Sequence, residues 1–400
     1  MSIAGAISGS RDRRARGAQA ASRGLRASVV QTGAALEVLA HRWLELETRS
    51  SGLGLFQSLG WVKAVFAFEA ARGNRDFDPV IAVAEDDRRL VAVLPLERIR
   101  TGRRSLLVPL GHAFAQVSDV LIDADTDAGE AVSRLLHAAL AASPADGVSL
   151  LKVRDGSALA RGMPRTCIQT GEAQGAPYVA LDAYVDFASY FSSIRAKTRK
   201  NMRNARNRLE RSGPATLRRL DRPEDQRALI ARTLEGRADR LSEQGLTSRA
   251  FREGGFADFC TSLVGRDDID IRAFVLLHND QPLAEQWGFV HGDRYYAYVA
   301  SRDFSHSEES PGRLQLSDII RACAEEGLKG CDLGVPAMPY KLTFATQTVV
   351  VRDYALPATP RGWVMFRVWD VLLRPAIKRL VLALPTRLRS RLMRLAGHGH

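Results

Sequence analysis

The chain repeats one order of apolar segments, and this repeat constrains the fold more than any other feature of the sequence. Residues 79–96 and residues 271–290 each read as an apolar run, a short polar turn and a second apolar run, which is the pattern of a β-hairpin. A basic turn with a third strand follows each hairpin, at 101–111 and at 291–301. Each set then closes with a helix and a strand, predicted at 128–142 and 148–153 in the first set and at 312–326 and 330–334 in the second.

The order β-β-β-α-β therefore occurs twice, and it predicts two copies of one module. The length of 400 residues fits this division, because single hydrophobic cores stop growing near ~250–300 residues. We predict an α/β (α+β) fold of two tandem modules, with mixed sheets flanked by helices. The modules are placed at residues 31–180 and 181–357, between a disordered basic segment at 1–30 and basic amphipathic helices at 358–400.

Positive charge is concentrated in three stretches of a chain whose formal net charge is +12. Two of them are the ends, at residues 1–30 and 361–400, and the third is residues 186–213, with eight Lys or Arg against two carboxylates. An apolar stripe at helical spacing predicts one long helix over 187–211 with a basic opposite face. This distribution indicates an acidic partner: a nucleic acid, a phosphate group or an anionic membrane.

The same sequence excludes several classes of protein. It has no run of the ~18 apolar residues that a spanning helix needs, and its basic start lacks the apolar core of a secretory signal. Its four cysteines form no CxxC pair and have no ligand at metal spacing, so we expect reduced thiols, no metal and a cytoplasmic location. Residues 362–395 predict an amphipathic helix, interrupted at Pro375 and Pro385, that either contacts the inner membrane peripherally or packs on the second module.

The two modules differ at the junction that leads into their helix. A helix N-terminus attracts anions, because its first backbone N–H groups are unpaired and its dipole is positive there. The first junction, at residues 121–131, carries four carboxylates that would repel a phosphate. The second has a proline suited to the first turn, a glycine that permits close approach and an arginine that can clamp a phosphate oxygen. We therefore predict a pyrophosphate site at the second junction only, built from Ser310, Pro311, Gly312, Arg313 and Leu314.

A β-β-β-α-β unit with a phosphate site between strand and helix resembles the acyl-CoA N-acyltransferases of the GNAT superfamily. Residues 193–213 resemble the Ser-x-Lys-x-Arg-x-Asn-x-Arg signature of CelD-type acetyltransferases, and residues 310–334 resemble their cofactor loop, helix and strand. Tyr340 and Lys341 match their Tyr-Lys pair. The Fem-type peptidoglycan aminoacyltransferases share the doubled fold and a similar basic helix. The resemblance covers about residues 35–356.

What the resemblance implies is acyl transfer from acetyl-CoA or another acyl-CoA to a small-molecule or glycan acceptor, in polysaccharide or cell-envelope synthesis. Such transfer needs a polarised carbonyl, a deprotonated nucleophile and close placement of the two. The catalytic candidates are Glu285, Asp332, Tyr340 and Lys341. The cofactor-binding candidates are Ser310, Gly312, Arg313 and Leu314, and the substrate-binding candidates are Arg199, Arg203 and Gln286.

Alternatives remain open. Glu285 and Gln286 are neighbours on one strand, so they face opposite sides of the sheet and only one can reach a given site. An aminoacyl-tRNA-dependent transferase would bind tRNA through residues 195–208. A non-catalytic scaffold at a membrane-bound synthase would use the C-terminal helices and bind no CoA. The sequence does not identify the acceptor, the acyl group or the oligomeric state.

Overall fold

One mixed sheet with helices on its faces organises the chain. The structure is a computed structural model that describes residues 24–50, 52, 54–87, 89–243, 251, 255–302 and 310–373. Within these ranges thirteen strands form a single sheet in the order β1-β2-β3-β4-β6-β13-β7-β12-β11-β10-β9-β8, and β5 pairs with β3 beside this path.

The strands have the following bounds. They are β1 (Arg26–Val30), β2 (Pro79–Asp86), β3 (Arg89–Thr101), β4 (Arg104–Pro109), β5 (Leu121–Ile122), β6 (Gly147–Arg154), β7 (Ile168–Ala180), β8 (Ala215–Leu220), β9 (Asp270–His278), β10 (Gln281–His291), β11 (Arg294–Arg302), β12 (Gly330–Asp332) and β13 (Gln347–Pro357).

The α-helices have the following bounds. They are α1 (Gly33–Arg49), α2 (Leu59–Ala71), α3 (Ala128–Ala142), α4 (Ala158–Gly162), α5 (Phe187–Ser193), α6 (Ala196–Arg211), α7 (Pro223–Glu243), α8 (Phe256–Ser262), α9 (Pro311–Glu325), α10 (Pro339–Leu342) and α11 (Pro360–Val364). A 3₁₀-helix at Leu55–Gln57 and a π-helix at Met365–Leu373 complete the described elements.

The predicted repeat is present in the structure. The first copy consists of β2, β3, β4, α3 and β6, and the second consists of β9, β10, β11, α9 and β12. In each copy the third strand lies parallel to the closing strand, with Leu106 opposite Gly147 in the first and Arg294 opposite Gly330 in the second. The α/β prediction of two tandem modules is therefore confirmed.

The two copies are joined into one sheet by strands β13 and β7. The last strand, β13, lies antiparallel between β6 of the first copy and β7. Strand β7 was not predicted, because Gly171, Gly175 and Pro177 interrupt its apolar pattern and glycine and proline are unusual inside strands. It pairs on its other side with β12 of the second copy.

Two local predictions were wrong. The single helix expected over 187–211 is two helices, α5 and α6. The hydroxyls of Ser192 and Ser193 donate to the carbonyls of Ala188 and Tyr190, and such local bonds compete with a continuing helix. Strand β1 lies within the segment 1–30 that was expected to be disordered, of which residues 1–23 lie outside the described ranges.

A shared aromatic core holds the modules together. Trp61 of α2, in the first half of the chain, packs edge-to-face on Phe259 of α8 and Phe289 of β10, with ring centroids 5.4 and 5.8 Å away. All three side chains are fully buried. Aromatic contacts of this geometry add to the hydrophobic gain of burial, so the two modules are packed as one body.

The C-terminal stretch is only partly described. Among the described helices, none has both the length and the apolar character needed to cross a membrane. Phe366 is buried, whereas Trp363, Trp369, Leu372 and Leu373 are exposed. The remainder of the predicted amphipathic region, including Pro375 and Pro385, lies outside the described residues.

Candidate functional site

The second module opens where its two parallel strands separate. Strands β11 and β12 are paired from Arg294 to Tyr296, and β11 then continues to Arg302 while β12 ends at Asp332. In the described part of the chain no strand pairs with this edge of β11 beyond Tyr296. A cavity of about 390 Å³ lies there, between β11, the start of α9, the end of α7 and residues 333–341.

This cavity is lined by positive charge. Arg237 and Arg240 reach it from α7, Arg313 from α9 and Lys341 from α10, and no carboxylate lines it within the part of the chain that the structure describes. The Nε atom of Arg313 is buried and has no hydrogen-bond partner within the described residues. Because buried cations without counter-charges are unfavourable, this arrangement suits an anionic ligand.

The start of helix α9 faces the cavity through Gly312 and Arg313. Ser310 precedes the helix in the left-handed conformation, with φ of 51°, and its side chain makes no capping bond. Its carbonyl accepts the N–H groups of Arg313 and Leu314, at 2.9 and 3.3 Å, whereas Gly312 at the second helical position has no intrahelical acceptor. Two predicted cofactor residues thus reach the cavity, while Ser310 shapes the turn and Leu314 is buried in the core.

Lys341 has an environment suited to proton transfer. Its Nζ donates to the carbonyl of Gly334 at 3.2 Å. Burial, together with the nearby positive charge of Arg237, lowers the pKa of Lys341 to about 8, although Asp332 acts in the opposite direction. A substantial fraction of this amine is therefore neutral slightly above neutral pH. Tyr340, the other predicted member of the pair, also lines the cavity.

Asp332 is engaged elsewhere. It is buried, and its carboxylate forms an ion pair with the buried Arg154 of β6, in the first module. The same carboxylate accepts the N–H of Gly334 at 2.9 Å, and Gly334 in turn accepts from Lys341. The Asp332 side chain therefore lies outside the cavity lining and supports the turn that holds Lys341, and its catalytic role stays a prediction.

Glu285 and Gln286 separate as strand alternation requires. Gln286 lines the cavity, and its Nε2 donates to the Tyr295 hydroxyl at 3.3 Å. Glu285 lies on the other face of β10 and binds Arg232 of α7, with 2.5 Å between Nη2 and Oε1. The carboxylate of Glu285 is therefore paired and outside the cavity lining, and its role as a base stays a prediction.

The basic helix α6 stands apart from this cavity. Its buried residues Met202, Ala205 and Leu209 belong to the core that also contains α9. The predicted substrate-binding residues Arg199 and Arg203 lie outside the lining, and Arg203 is exposed. The structure does not bring them together with the other candidates, because the apolar stripe directs the basic face outward.

The comparisons with known proteins agree with this geometry. Residues 196–342 match the family described as the acetyltransferase (GNAT) domain, an interval that contains α7, α9 and the Tyr340–Lys341 pair. The second module has the GNAT acetyltransferase fold. No curated protein matches the sequence. No group of three or more potential metal ligands occurs within the described ranges.

Solved structures extend the likeness to both modules. One is FemX, with a TM-score of 0.55, 11% identity and coverage of 82% of this chain and 98% of that chain. Another is a conserved protein of unknown function from Bacteroides thetaiotaomicron, with a TM-score of 0.51, 13% identity and coverage of 82% and 99%. At these identities the likeness establishes the fold alone.

Several residues in and around this cavity could not be found from the sequence. Arg237 and Arg240 lie three positions apart on α7 and share a face, but Lys and Arg make up 57 of the 400 residues, so two more arginines gave no signal. Tyr298 lines the cavity, and its hydroxyl donates to the Phe114 carbonyl at 2.6 Å. Arg154 was missed because its partner Asp332 is 178 positions away in the chain.

Proposed function

We propose that this protein transfers an acyl group from acetyl-CoA or another acyl-CoA to an amine or hydroxyl. The observation that supports this proposal is the cavity at the separation of β11 and β12, within the interval that matches the GNAT domain. Among the described residues, four cations and no carboxylate line it. GNAT domains use acyl-CoA as a co-substrate. The helix start at Gly312, with Arg313 beside it, suits the phosphate groups of CoA.

The unpaired edge of β11 gives the site its second element. Residues Val299, Ala300 and Ser301 line the cavity along this edge. No described strand pairs with their backbone on that side. Backbone N–H groups fixed in a sheet can stabilise the oxyanion that develops when an acyl carbonyl is attacked. We therefore assign polarisation of the thioester carbonyl to this edge.

Lys341 is the proposed general base. In its neutral form it accepts a proton from the acceptor's ammonium or hydroxyl group, and the freed lone pair attacks the acyl carbon. The carbon–sulfur bond then breaks, and the thiolate of CoA takes a proton. Tyr340, the neighbouring residue in the cavity lining, is the proposed donor of that proton. Tyr340 is then reprotonated by the second proton of the attacking nitrogen or, for a hydroxyl acceptor, by the proton held on Lys341.

A Lys341→Met variant tests this assignment. Loss of a general base reduces a rate by about 10²–10⁴-fold, and we expect a fall of that order in kcat/KM while the Kd of CoA stays within about threefold. Because the protonated amine is inactive, the wild-type rate should rise with pH and level off above about 8. Release of thiol from acetyl-CoA, with the best acceptor from a panel of amines and amino sugars, measures both. An unchanged inflection in the variant would place the base elsewhere.

A role in polysaccharide or cell-envelope synthesis is the finer proposal. It is supported by the likeness of residues 193–213 to the CelD-type signature, and it implies a glycan or small-molecule acceptor. Amino sugars should then be acetylated more efficiently than polyamines of similar size. Equal or better transfer to polyamines would contradict the proposed acceptor class.

An aminoacyl-tRNA-dependent transferase is the second candidate, favoured by the outward basic face of α6. Its arginines and lysines would contact phosphates, so tRNA binding would weaken steeply with salt and require Arg199 and Arg203.

A non-catalytic scaffold is the third candidate, and it predicts no binding of CoA. Calorimetry with acetyl-CoA, and gel-shift titration with tRNA at two salt concentrations, distinguish the three.

We also propose that the C-terminal stretch contacts the cytoplasmic face of the inner membrane. Trp363, Trp369, Leu372 and Leu373 are exposed, and residues 361–400 hold nine Lys or Arg against one Asp. Tryptophan and basic residues together favour an anionic lipid surface. Cosedimentation with phosphatidylglycerol vesicles should be lost on truncation after Pro360, and retention by the truncated chain would contradict it.

A further inference from the structure

A second cavity adjoins the first and lies between the two modules. It measures about 280 Å³ and shares Arg237, Tyr298 and Val299 with the cavity assigned to acyl-CoA. First-module residues 112–116 and Leu151 with Lys152 form part of its wall, and Asp353 of β13 and Phe256 of α8 also line it. The two cavities therefore meet along β11, at the point where Arg237 reaches both.

Arg237 lies at this meeting point and, among the described residues, has no hydrogen-bond or ion-pair partner. Within the described residues it makes no ion pair with a carboxylate, and its burial, together with the charge of Arg240, lowers its pKa. Two other arginines of α7 have partners: Arg227 donates to the carbonyl of Val264 at 3.0 Å, and Arg232 binds Glu285. A desolvated guanidinium without a counter-charge is unfavourable. A ligand anion that bound Arg237 would therefore supply the counter-charge that the described residues do not provide.

Four other polar side chains of the second cavity have hydrogen-bond partners. The Tyr298 hydroxyl donates to the Phe114 carbonyl at 2.6 Å, and Gln116 Nε2 donates to the Tyr298 carbonyl at 3.3 Å. Asp353 Oδ1 accepts the backbone N–H of Lys152 at 2.7 Å. His112 Nδ1 lies 2.9 Å from Glu97 Oε1.

The apolar part of the wall includes Phe114 and Phe256, whose rings stack with centroids 6.1 Å apart. This cavity thus combines apolar walls with one guanidinium that has no hydrogen-bond partner among the described residues. An arginine in such a setting binds carboxylate or phosphate through two parallel hydrogen bonds.

We propose that the second cavity is the acceptor subsite and that Arg237 binds an oxyanion, either carboxylate or phosphate, carried by the acceptor. The inference rests on the proposed function, because the first cavity must hold the acyl-CoA. Arg240 and Arg313 then serve the phosphates of CoA, and Arg237 serves the acceptor. An acceptor held in this way directs its amine or hydroxyl past Tyr298 and Val299 towards Lys341.

A binding experiment tests Arg237 without knowledge of the acceptor. The protein is saturated with CoA, so that Arg240 and Arg313 are occupied, and inorganic phosphate and acetate are titrated by calorimetry. We expect the CoA complex to bind one of these ions about tenfold more tightly than an Arg237→Gln variant does. Arg218→Gln, at an exposed arginine of β8 outside every cavity lining, is the control and should bind as the wild type does. Equal affinity in the wild type and Arg237→Gln would overturn the proposal.

A transfer experiment separates the two oxyanions. Glucosamine 6-phosphate is compared with glucosamine, and L-serine with L-serinamide, as acceptors of the acetyl group. The anionic member of at least one pair should be preferred about tenfold in kcat/KM, and Arg237→Gln should remove the preference while leaving the Kd of CoA within twofold. If Arg237→Gln unfolds, Arg237→Lys keeps the charge and should retain only part of the preference. No preference for either anionic member would overturn the proposal.

The experiments distinguish a failure of the acyl-CoA assignment from a failure of the acceptor proposal. If CoA does not bind, the acyl-CoA assignment is wrong, and the phosphate and acetate titrations of the free protein still decide whether Arg237 holds an oxyanion. If CoA binds and the anion titrations do not distinguish Arg237→Gln from the wild type, the acyl-CoA assignment stands and the acceptor proposal fails.

Discussion

The helices of the two repeat copies begin differently: the N-terminus of α3 is capped by a side chain, whereas the N-terminus of α9 faces a cavity. We call the first module closed and the second open. Helix α3 begins after Asp127, whose side chain accepts the N–H of Glu130 at 2.7 Å. Helix α9 begins after Ser310, which makes no such bond, and it carries Arg313 where α3 carries Glu130. The first start is satisfied by its own carboxylate, while the second presents N–H groups and a guanidinium to a cavity.

The strands show the same difference. In the first module the chain itself lies along the edge of β6: the N–H of Ser118 donates to the Leu151 carbonyl, and the N–H of Leu151 donates to Ser118 Oγ, both at 3.1 Å. In the second module the space between β11 and the closing strand β12, beyond the point where they separate, is a cavity. A shared fold therefore does not imply a shared site, because a few residues at the junction decide whether a ligand can enter.

The closed module nevertheless contributes to the open one. Arg154 at the end of β6 pairs with Asp332, and Asp332 holds the turn from which Lys341 is positioned. Strand β13, which follows the site in the chain, returns to the first module and pairs with β6. We interpret the first module as the support of a site that lies in the second.

The largest effect is expected from breaking this support. Arg154→Met leaves the buried Asp332 carboxylate without its partner and should lower the free energy of unfolding by about 3–5 kcal/mol. The double variant Arg154→Met with Asp332→Asn removes both charges and should recover most of this loss. Urea unfolding followed by circular dichroism measures both. A single variant as stable as the wild type would show that the modules do not depend on this pair.

The next effect comes from giving α9 the charge found at α3. Arg313→Glu places a carboxylate among the proposed phosphate contacts, and we expect CoA to bind about 100-fold more weakly, since a charge-assisted hydrogen bond is worth about 1.5–3 kcal/mol and repulsion is added. A glutamate in the first turn favours the helix, so the fold should be retained.

Glu130→Arg is the reciprocal variant in the first module. It should create no second CoA site, because the chain around Ser118 occupies the space beside β6. A second site would contradict the closed description of the first module.

The smallest effect is expected from the basic helix. Arg199→Gln with Arg203→Gln should change the Kd of CoA by less than twofold, because neither side chain lines the cavity. If these substitutions instead weaken CoA binding tenfold, the cavity does not define the binding site. If they abolish salt-sensitive binding of tRNA, the aminoacyl-tRNA alternative gains support.

The sequence predicted the repeat and the asymmetry of its helix starts, because both depend on local patterns. Helix α3 begins and ends where the pattern predicted, and Gly312 and Arg313 line the cavity as proposed from the chemistry of their junction. These features are encoded within a few turns of chain.

Contacts between residues far apart in the chain could not be predicted from local sequence patterns. Alternation places Glu285 and Gln286 on opposite faces, but the packing of α7 decides which face is paired with Arg232 and which is open. The partner of Asp332 comes from the other module. Strand β7 contains glycine and proline that it tolerates because β12 and β13 pair with it on both sides.

Calorimetric titration of acetyl-CoA into the full chain tests the central claim most directly. We expect one acetyl-CoA to bind per chain. Its affinity should fall about 100-fold in the Arg313→Glu variant and stay unchanged in the Arg218→Glu variant. No heat of binding, or a wild-type affinity in Arg313→Glu, would contradict the claim that the open helix start of the second module is the site of acyl-CoA.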